Sequence, residues 1–314
     1  MCMNSHNELP LAVVVCGPTG IGKTSFAIEL ARRFGGEIIG ADSMQLYRHM
    51  DIGTAKPTPG EQAAVTHHMV GIVDPGEHFD AEMYADMAYA NVLALTEKGT
   101  LPFVVGGTGL YIKALIHGLF ESIKIDTGIR KQLKKEVEEQ GGAHLHARLK
   151  VVDPAAAGRI HANDTYRIVR ALEIFEATGR PMSDTQAQHR FEPQRLQTVK
   201  IGLRMDREAL YQRIDQRVDI MLDQGLLAEV KGLLEKKYSP DLKAMKSLGY
   251  RHMVLFLKNE VDWEEAVRTL KRDTRRYAKR QMTWFKADPE IVWMGLDDLE
   301  EAASMVAVFK AQYG

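Results

Sequence analysis

Residues 13–30 read VVVCGPTGIGKTSFAIEL and place a short apolar strand, a glycine-rich turn and an apolar helix in that order. The turn matches the pattern G-x-x-x-x-G-K-T, in which backbone N–H groups face an anion and the following helix adds its positive N-terminal end. The sequence therefore predicts a phosphate-binding loop formed by Gly17, Pro18, Thr19, Gly20, Ile21, Gly22, Lys23 and Thr24.

The loop pattern leaves open which phosphate is bound. Lys23 supplies a point charge for phosphate oxygens, and the hydroxyl of Thr24 is the expected ligand of Mg²⁺. ATP or GTP binding is the usual role of such a loop. The pattern does not separate phosphoryl transfer from displacement of a whole diphosphate.

The amino-acid composition excludes several classes of protein. The chain has 314 residues, of which 45% are hydrophobic and 26% charged, and its formal net charge is −1. Any nucleic-acid surface must therefore be local. Two cysteines, Cys2 and Cys16, exclude a disulfide framework and a cysteine-based zinc site. No apolar run reaches the ~18 residues of a spanning helix and no signal peptide is evident, so we expect a cytoplasmic protein without a membrane partner.

Alternating strand and helix patterns predict an α/β fold of the P-loop NTPase type, with a parallel sheet flanked by helices. We expect strands at 11–16, 37–41, 102–105, 197–203 and 290–295, and helices at 23–34, 81–98, 206–237 and 262–286. Residues 121–196 carry charged amphipathic patterns without a strand. The predicted domains are a P-loop core of 1–120 and 197–314 with C-terminal helices, and a helical insertion of 121–196.

A carboxylate follows the second predicted strand. Because ligands of parallel sheets bind at the carboxyl ends of the strands, Asp42 is expected near Lys23. Asp42 could act as a general base or as a magnesium partner. It could equally cap a turn, as could Ser43. Position alone leaves both roles open.

Six motifs in this order resemble the tRNA dimethylallyltransferase (tRNA isopentenyltransferase) family: GPTGIGKT, ADSMQLYRHMDIGTAKP, VGGTGLYIKAL, RIHANDTYRIVRALEI, SLGYRHM and YAKRQMTWF. The resemblance covers about residues 12–286. One departure is Gly20-Ile21, where the family pattern has a small residue followed by Ser.

The resemblance implies a reaction. The family transfers a dimethylallyl group from dimethylallyl diphosphate to the N6 amine of the adenosine 3′ of the anticodon in tRNA. The loop would then hold the diphosphate with Mg²⁺, and no ATP would be consumed. The implied catalytic residues are Asp42 as general base, with Thr19, Lys23 and Arg217. Without the family, Arg217 would be assigned to a solvated helix face.

The resemblance also implies an interface with the tRNA anticodon stem-loop, on which the insertion domain would close. The residues it assigns are Asp42, Ser43, Met44, Gln45, Thr108, Arg130, Tyr166, Arg167, Ile168, Val169, Arg170, Ser247, Leu248, Gly249, Tyr250, Arg251 and His252. Taken alone, Thr108 and its neighbouring glycines read as a tight turn. A target base stacked in the anticodon loop must be extruded to reach the diphosphate.

The sequence also predicts a helix that is rich in basic residues. Between Arg268 and Lys286 there are eight basic residues and one acid, Asp273. Four of the basic residues share a face at helical spacing: Arg268, Arg272, Arg275 and Lys279. RNA contacts are expected from Lys279, Arg280, Gln281 and Trp284. The alternative is a solvated charged helix with aromatic core contacts.

Three other functions stay open at this point. A kinase of a nucleotide or small molecule shares the phosphate loop and could use the insertion as a lid. A non-catalytic RNA-binding P-loop protein would not need the carboxylate at Asp42. A transferase acting on free AMP, ADP or ATP would need neither the insertion nor the basic helix. Nothing in the sequence requires a dimer, so a monomer is expected.

Overall fold

The computed structural model describes residues 9–118, 127–184 and 194–314. The chain divides into two compact units, Met1–His117 with Gln194–Gly314, and Gly118–Pro193. The first unit holds a six-stranded sheet, and the described part of the second is helical. Among the described helices, none combines the length and the apolar content that a membrane crossing requires.

Six parallel strands form one sheet in the order β3-β2-β4-β1-β5-β6. They are β1 (Leu11–Cys16), β2 (Glu37–Gly40), β3 (His67–His68), β4 (Pro102–Gly106), β5 (Gln197–Leu203) and β6 (Ile291–Met294). The predicted α/β fold with a parallel sheet is confirmed. Because β1 pairs with β4 on one side and β5 on the other, the loop that follows β1 lies at the middle of the carboxyl edge.

The central strand is buried on both faces because its residues are apolar throughout. Val13 and Val15 belong to one hydrophobic core, whereas Val14 and Cys16 belong to the other. This alternation matches the two-residue period of a strand. A parallel sheet needs helices on both faces, and the two cores supply the contacts for them.

Nine helices of the first unit surround this sheet within its described residues. Before the second unit come α1 (Lys23–Phe34), α2 (Pro59–Ala64), α3 (Ala81–Glu97) and α4 (Gly109–His117). After it come α9 (Arg207–Asp223), α10 (Leu226–Glu235), α11 (Tyr250–Leu257), α12 (Trp263–Phe285) and α13 (Leu299–Tyr313). The stretch 206–237, predicted to be helical, is divided by Gly225 at φ 99° into α9 and α10.

The second unit packs four helices around its own small core. They are α5 (Thr127–Gln140), α6 (Gly142–Val152), α7 (Pro154–Arg159) and α8 (Thr165–Thr178). Leu133, Leu145, Leu149 and Leu172 are fully buried in this core. Asp153 caps α7 by accepting the Ala156 amide and also accepts the Ser183 amide, so a buried carboxylate closes one end of the unit.

Candidate active site

The loop after β1 turns on glycines. Gly17, Gly20 and Gly22 have φ of 146°, 81° and 102°, values at which a side chain is strained. A Cβ added to Gly20 would lie 2.9 Å from Cγ1 of Ile214 in α9. Gly22 begins α1 without a side-chain cap, so no side chain occupies the amides of the first helical turn. The loop and the helix end can therefore receive an anion.

Ile21, at the position where the family pattern has Ser, is fully buried. It belongs to the same core as Phe26 and Ile214 and does not line the cleft in front of the loop. Its predicted role in phosphate binding is thus limited to its backbone. The Ile21 side chain therefore packs in the core and does not line the loop cleft, whereas Gly20 does.

Two cations face the space in front of the loop. Nζ of Lys23 donates a hydrogen bond to the Pro18 carbonyl at 2.9 Å. Burial lowers the pKa of Lys23 to about 8, against the raising effect of the Asp42 carboxylate. The Arg217 guanidinium from α9 makes no hydrogen bond or ion pair with any residue that the structure describes, and burial lowers its pKa as well. A bound anion would therefore stabilise the charged forms of both side chains.

Two clefts of the first unit meet beside the loop. The loop cleft has an empty volume of about 700 Å³, including space open to solvent, and is lined by loop residues including Lys23 and Thr24 and by the ends of β2 and β4. The wide cleft has an empty volume of about 1140 Å³, again including space open to solvent, and is lined mainly by α9, α12 and the residues before α11. Four residues line both clefts: Thr19, Asp42, Thr54 and Arg217. A group bound in one cleft can meet a group bound in the other at this junction.

Asp42 lies at the junction and also holds its own turn. Its Oδ1 accepts the amides of Met44 at 2.8 Å and Gln45 at 3.3 Å, which is the capping role. Its Oδ2 accepts no hydrogen bond from any residue in the described parts of the chain. One oxygen thus fixes the orientation of the carboxylate, the other accepts no such bond, and Asp42 lines both clefts, so the two roles left open by the sequence are compatible.

The donor atoms near the loop fit a hard cation. Thr24 and Asp42 offer a hydroxyl and a carboxylate to the loop cleft, and Mg²⁺ prefers oxygen ligands of this kind. The described residues contain no group of three or more His, Cys, Asp or Glu side chains able to hold a metal. A magnesium ion here would therefore depend on oxygens of the bound phosphate as well as on Thr24.

One face of α12 docks against the loop after β1 and the turn after β4. Gln281 accepts the Thr19 amide through Oε1 and donates to the Gly107 carbonyl through Nε2, both at 2.9 Å. The Tyr277 hydroxyl lies near the side chains of Thr108 and Gln281, and both lower its pKa against the larger raising effect of burial. Thr108 Oγ1 in turn accepts the Ser43 amide at 3.0 Å. Thr108 therefore links three segments of the site and is not among the residues that line either cleft.

The glycines around Thr108 allow this close docking. An added Cβ would lie 2.0 Å from the Ala41 carbonyl oxygen at Gly106, 2.2 Å from Gln281 at Gly107 and 2.1 Å from Trp284 at Gly109. None of the three has φ in the left-handed region. Space, and not backbone conformation, is what requires glycine at these positions.

The structure brings eight of the 21 residues assigned to RNA together in the wide cleft. They are Asp42, Ser43, Met44, Ser247, Leu248, Gly249, Arg251 and Arg280. Gln45 lines the loop cleft, where its Nε2 donates to the Thr54 and Ala55 carbonyls. Lys279 and Trp284 are exposed on α12 but do not line the wide cleft.

Three residues assigned to RNA have side chains that are buried and in contact with other residues of the chain. Tyr250 is fully buried, and its hydroxyl donates to Oε1 of Glu229 at 2.5 Å. His252 is 2% exposed and lies 3.4 Å from Asp273. Gln281 is 5% exposed, with both ends of its amide engaged. Their side chains do not present free groups to a large ligand in this conformation.

The basic face predicted on α12 is partly neutralised. Arg268 pairs with Glu265, Arg272 with Asp273 and Arg275 with Asp215. Asp273 also binds Arg251, and the arginines around it hold its pKa at about 2. Lys279 and Arg280 form no ion pair with the described residues, so the free positive charge lies at the C-terminal half of the helix.

The second unit holds the remaining residues assigned to RNA. Arg130 and Arg170 both pair with the buried carboxylate of Glu173. Tyr166 is 76% exposed, and Arg167 is exposed beside Asp164. Two assigned residues of α8, Ile168 and Val169, are buried in the core of the unit and are packing residues. Of the residues of α8 assigned to RNA, Tyr166 and Arg167 are therefore exposed and Arg170 is partly exposed.

Several site residues were not found from the sequence. Arg213, one helical turn before Arg217, donates through Nε to the Gly20 carbonyl at 3.2 Å. Glu229 accepts the amides of Asp51, Ile52 and Gly53 and so shapes the segment leading to Thr54. The spacing of Arg213 and Arg217 on one helix was a usable signal. Nothing local pointed to Glu229, because its partners lie about 176 residues away.

Comparison with known proteins agrees with this geometry. The family described as IPP transferase matches residues 45–288. The tRNA dimethylallyltransferase of Desulfosudis oleivorans is 54% identical over 306 residues, which cover 97% of each chain. That of Syntrophobacter fumaroxidans is 54% identical over 93% of this chain and 85% of its own.

Solved structures give the same result. The full-length tRNA isopentenylpyrophosphate transferase of Bacillus halodurans superposes with a TM-score of 0.72 at 40% identity, covering 97% of this chain and 98% of its own. A eukaryotic dimethylallyltransferase described as acting on tRNA gives 0.77 at 29% identity, covering 95% and 77%. With a phosphate loop, a carboxylate at its mouth and a family match over most of its length, the chain belongs to the IPP transferase family.

Proposed function

We propose that this chain transfers a dimethylallyl group from dimethylallyl diphosphate to the N6 amine of the adenosine 3′ of the anticodon in tRNA and releases diphosphate. Family membership supports the activity. The observation that supports the site is the meeting of two clefts at Thr19, Asp42 and Arg217. The loop cleft suits the diphosphate, and the wide cleft suits the nucleobase.

The first requirement of the reaction is to stabilise the leaving diphosphate. The bond between the allylic carbon C1 and its oxygen breaks, and negative charge develops on the diphosphate. Loop amides, Lys23 and Arg217 are fixed donors aimed at that charge, and preorganised donors are usually the largest contribution to catalysis. Burial disfavours the charged forms of Lys23 and Arg217. The negative charge that develops on the diphosphate therefore stabilises these charged side chains.

Mg²⁺ would be held by Thr24 together with phosphate oxygens. When bound, it supplies further neutralisation of the diphosphate charge. The residues that act on the diphosphate without it are Lys23 and Arg217.

The second requirement is a base for the amine. The adenine N6 lone pair is delocalised into the ring, so the amine is a weak nucleophile. As the N6–C1 bond forms, the amine loses a proton, and Asp42 is positioned to accept it at Oδ2. Its Oδ1 stays engaged with the amides of Met44 and Gln45, which keeps the carboxylate oriented throughout.

The RNA would be held by the wide cleft and by the free charges of α12. Arg251 and Arg280 line the cleft, and the guanidinium of Arg280 lies 5.7 Å from the ring centre of Tyr277. The second unit offers Tyr166, Arg167 and Arg170 on α8. We propose that this helical unit contacts the anticodon stem-loop. A monomeric state and a cytoplasmic location remain predictions.

A transfer assay tests the proposed function. Unmodified tRNA and Mg²⁺ are incubated with labelled dimethylallyl diphosphate in one tube and with γ-labelled ATP in another. A third tube replaces tRNA with AMP in the presence of the labelled isoprenoid. Label in RNA from the isoprenoid alone is the expected result. Label from ATP would indicate a kinase, and label on AMP alone would indicate a free-nucleotide transferase.

Diphosphate binding should weaken as the pH rises through about 8, the pKa to which burial lowers Lys23 in the free protein. Binding an anion favours the protonated lysine. Above that pKa each unit of pH therefore weakens the affinity for inorganic diphosphate by up to about tenfold. Calorimetry between pH 7 and 9 measures this. Lys23→Arg stays cationic and corrects for titration of diphosphate itself, so parallel profiles for the two proteins would contradict the assignment.

Replacing Lys279 and Arg280 together with alanine should weaken tRNA binding and flatten its salt dependence. Two lost phosphate contacts reduce the slope of log K against log salt by about 1.5 to 2. The matched control is Arg268→Ala with Lys271→Ala, which removes two charges from the same helix that are already paired with Glu265 and Asp219. Filter binding at several salt concentrations measures both. Equal slopes would remove this end of α12 from the interface.

A further inference from the structure

Gln281 occupies an unusual place for a residue of a basic surface helix. It lies between the exposed residue Arg280 and the half-exposed Trp284, yet its own side chain is almost completely buried. Its amide bridges two backbone segments that lie 262 and 174 residues away in the sequence. One bridged group is the Thr19 amide of the phosphate loop, and the other is the Gly107 carbonyl of the turn after β4.

Both hydrogen bonds act on atoms that shape the site. Thr19 lines both clefts, so the Gln281 side chain fixes the loop where the two clefts meet. The Thr19 amide donates its hydrogen bond to Oε1 of Gln281 at 2.9 Å. The anion-facing amides therefore have to come from the residues that follow, and their direction depends on where Thr19 is held. Gln281 itself lines the loop cleft.

The neighbouring residues show that this contact is closely fitted. Gly107 admits the Gln281 amide only because it has no Cβ, which would lie 2.2 Å from Nε2. Tyr277, one turn earlier on α12, lines the wide cleft, and its hydroxyl lies near the Gln281 side chain. A single helix thus carries Arg280 and Tyr277 to the wide cleft and Gln281 to the phosphate loop.

We infer that Gln281 is a positioning residue that sets the backbone of the phosphate loop relative to α12, so that the diphosphate is aligned with a base held in the wide cleft. The inference rests on the proposed function. Gln281 makes no direct contact with RNA. Its loss leaves a part-buried amide and a buried carbonyl without partners, and the loop relaxes by rotating Thr19. Misplacement of a reacting group by about 1 Å can reduce the rate by about 10²-fold.

The experiment compares Gln281→Met with the unaltered protein in steady-state transfer of a labelled dimethylallyl group to tRNA. Methionine has a similar volume and forms neither hydrogen bond. We expect kcat to fall about 10- to 100-fold and the KM for dimethylallyl diphosphate to rise, while the Kd for tRNA changes less than twofold. Thr283→Val, on an exposed part of the same helix, is the control and should leave all three values unchanged.

A second variant perturbs the same contact from the other side. Gly107→Ala places a Cβ against Gln281 and should reproduce the kcat and KM changes of Gln281→Met. Because both changes break one interaction, the double variant should be no slower than the slower single variant. If Gln281→Met does not fold, Gly107→Ala still tests the loop, through the same kcat, KM and tRNA affinity.

The outcomes are distinct. Unchanged kcat and KM would overturn the inference, as would a loss of tRNA affinity as large as the loss of kcat, which would make Gln281 an RNA contact. A fall in thermal stability with normal kcat at a lower temperature would reduce its role to folding. If the unaltered protein transfers no dimethylallyl group to tRNA, the proposed function fails first, whatever the variants do.

Discussion

Asp42→Asn should lower the rate of dimethylallyl transfer by about 10² to 10⁴-fold, the usual contribution of a general base. The variant separates the two roles of this residue. Asparagine keeps a side-chain oxygen that can accept the amides of Met44 and Gln45, so the turn after β2 is preserved. It cannot accept the amine proton. A single-turnover assay with saturating substrates measures the loss in the chemical step.

The controls for Asp42→Asn are binding measurements. The Kd for tRNA should stay within about twofold, because Asp42 is one of many residues that line the wide cleft. Asp42→Ala removes the turn contacts as well and should add a loss of stability to the loss of rate. If Asp42→Asn transfers dimethylallyl at the normal rate, the base is another group, and Asp42 only caps its turn.

Lys23→Ala should reduce kcat by about 10² to 10³-fold, as expected when a donor aimed at developing charge is removed. The affinity for diphosphate should fall too, and the affinity for tRNA should not. Lys98→Ala, at an exposed lysine that ends α3, is the matched control. Equal loss of tRNA binding in a filter assay would mean that Lys23 is part of the RNA site.

The same substitution should not cost thermal stability. The folded protein holds the pKa of Lys23 at about 8, below the ordinary value of 10.5, so the charged form is disfavoured by folding. This penalty is present below pH 8 and fades as the pH rises from 8 to 10.5. At neutral pH, Lys23→Ala removes it, and the Tm should stay level or rise. A clear fall in Tm at pH 7 would contradict the burial effect.

The sequence was most informative where chemistry and local structure coincide. The strand at 11–16, the loop at 17–24 and the helix from Lys23 could be read together because one continuous segment builds all three. The position of Asp42 followed from the rule that strand ends converge in a parallel sheet. The motifs identified the family, which the comparisons confirmed.

The features that the sequence did not predict depend on residues that lie far away in the chain. Arg275 was assigned to a free basic face, but Asp215, 60 residues away, neutralises it. Ile168 and Val169 sit inside a motif attributed to RNA contact, and only the packing of α8 shows that they face the core. The two residues of β3 are too few for a pattern to emerge. Buried and exposed positions within one motif look alike until its neighbours are known.

The three glycines beside Thr108 restrict how this chain can vary. Every single-base change in a glycine codon that gives another amino acid adds a Cβ, and at Gly106, Gly107 and Gly109 that atom meets backbone, Gln281 or Trp284 at about 2 Å. Substitution by alanine or serine is therefore not neutral at any of these three positions. Since α12 cannot retreat without leaving the phosphate loop, variation in this segment requires compensating changes in the helix.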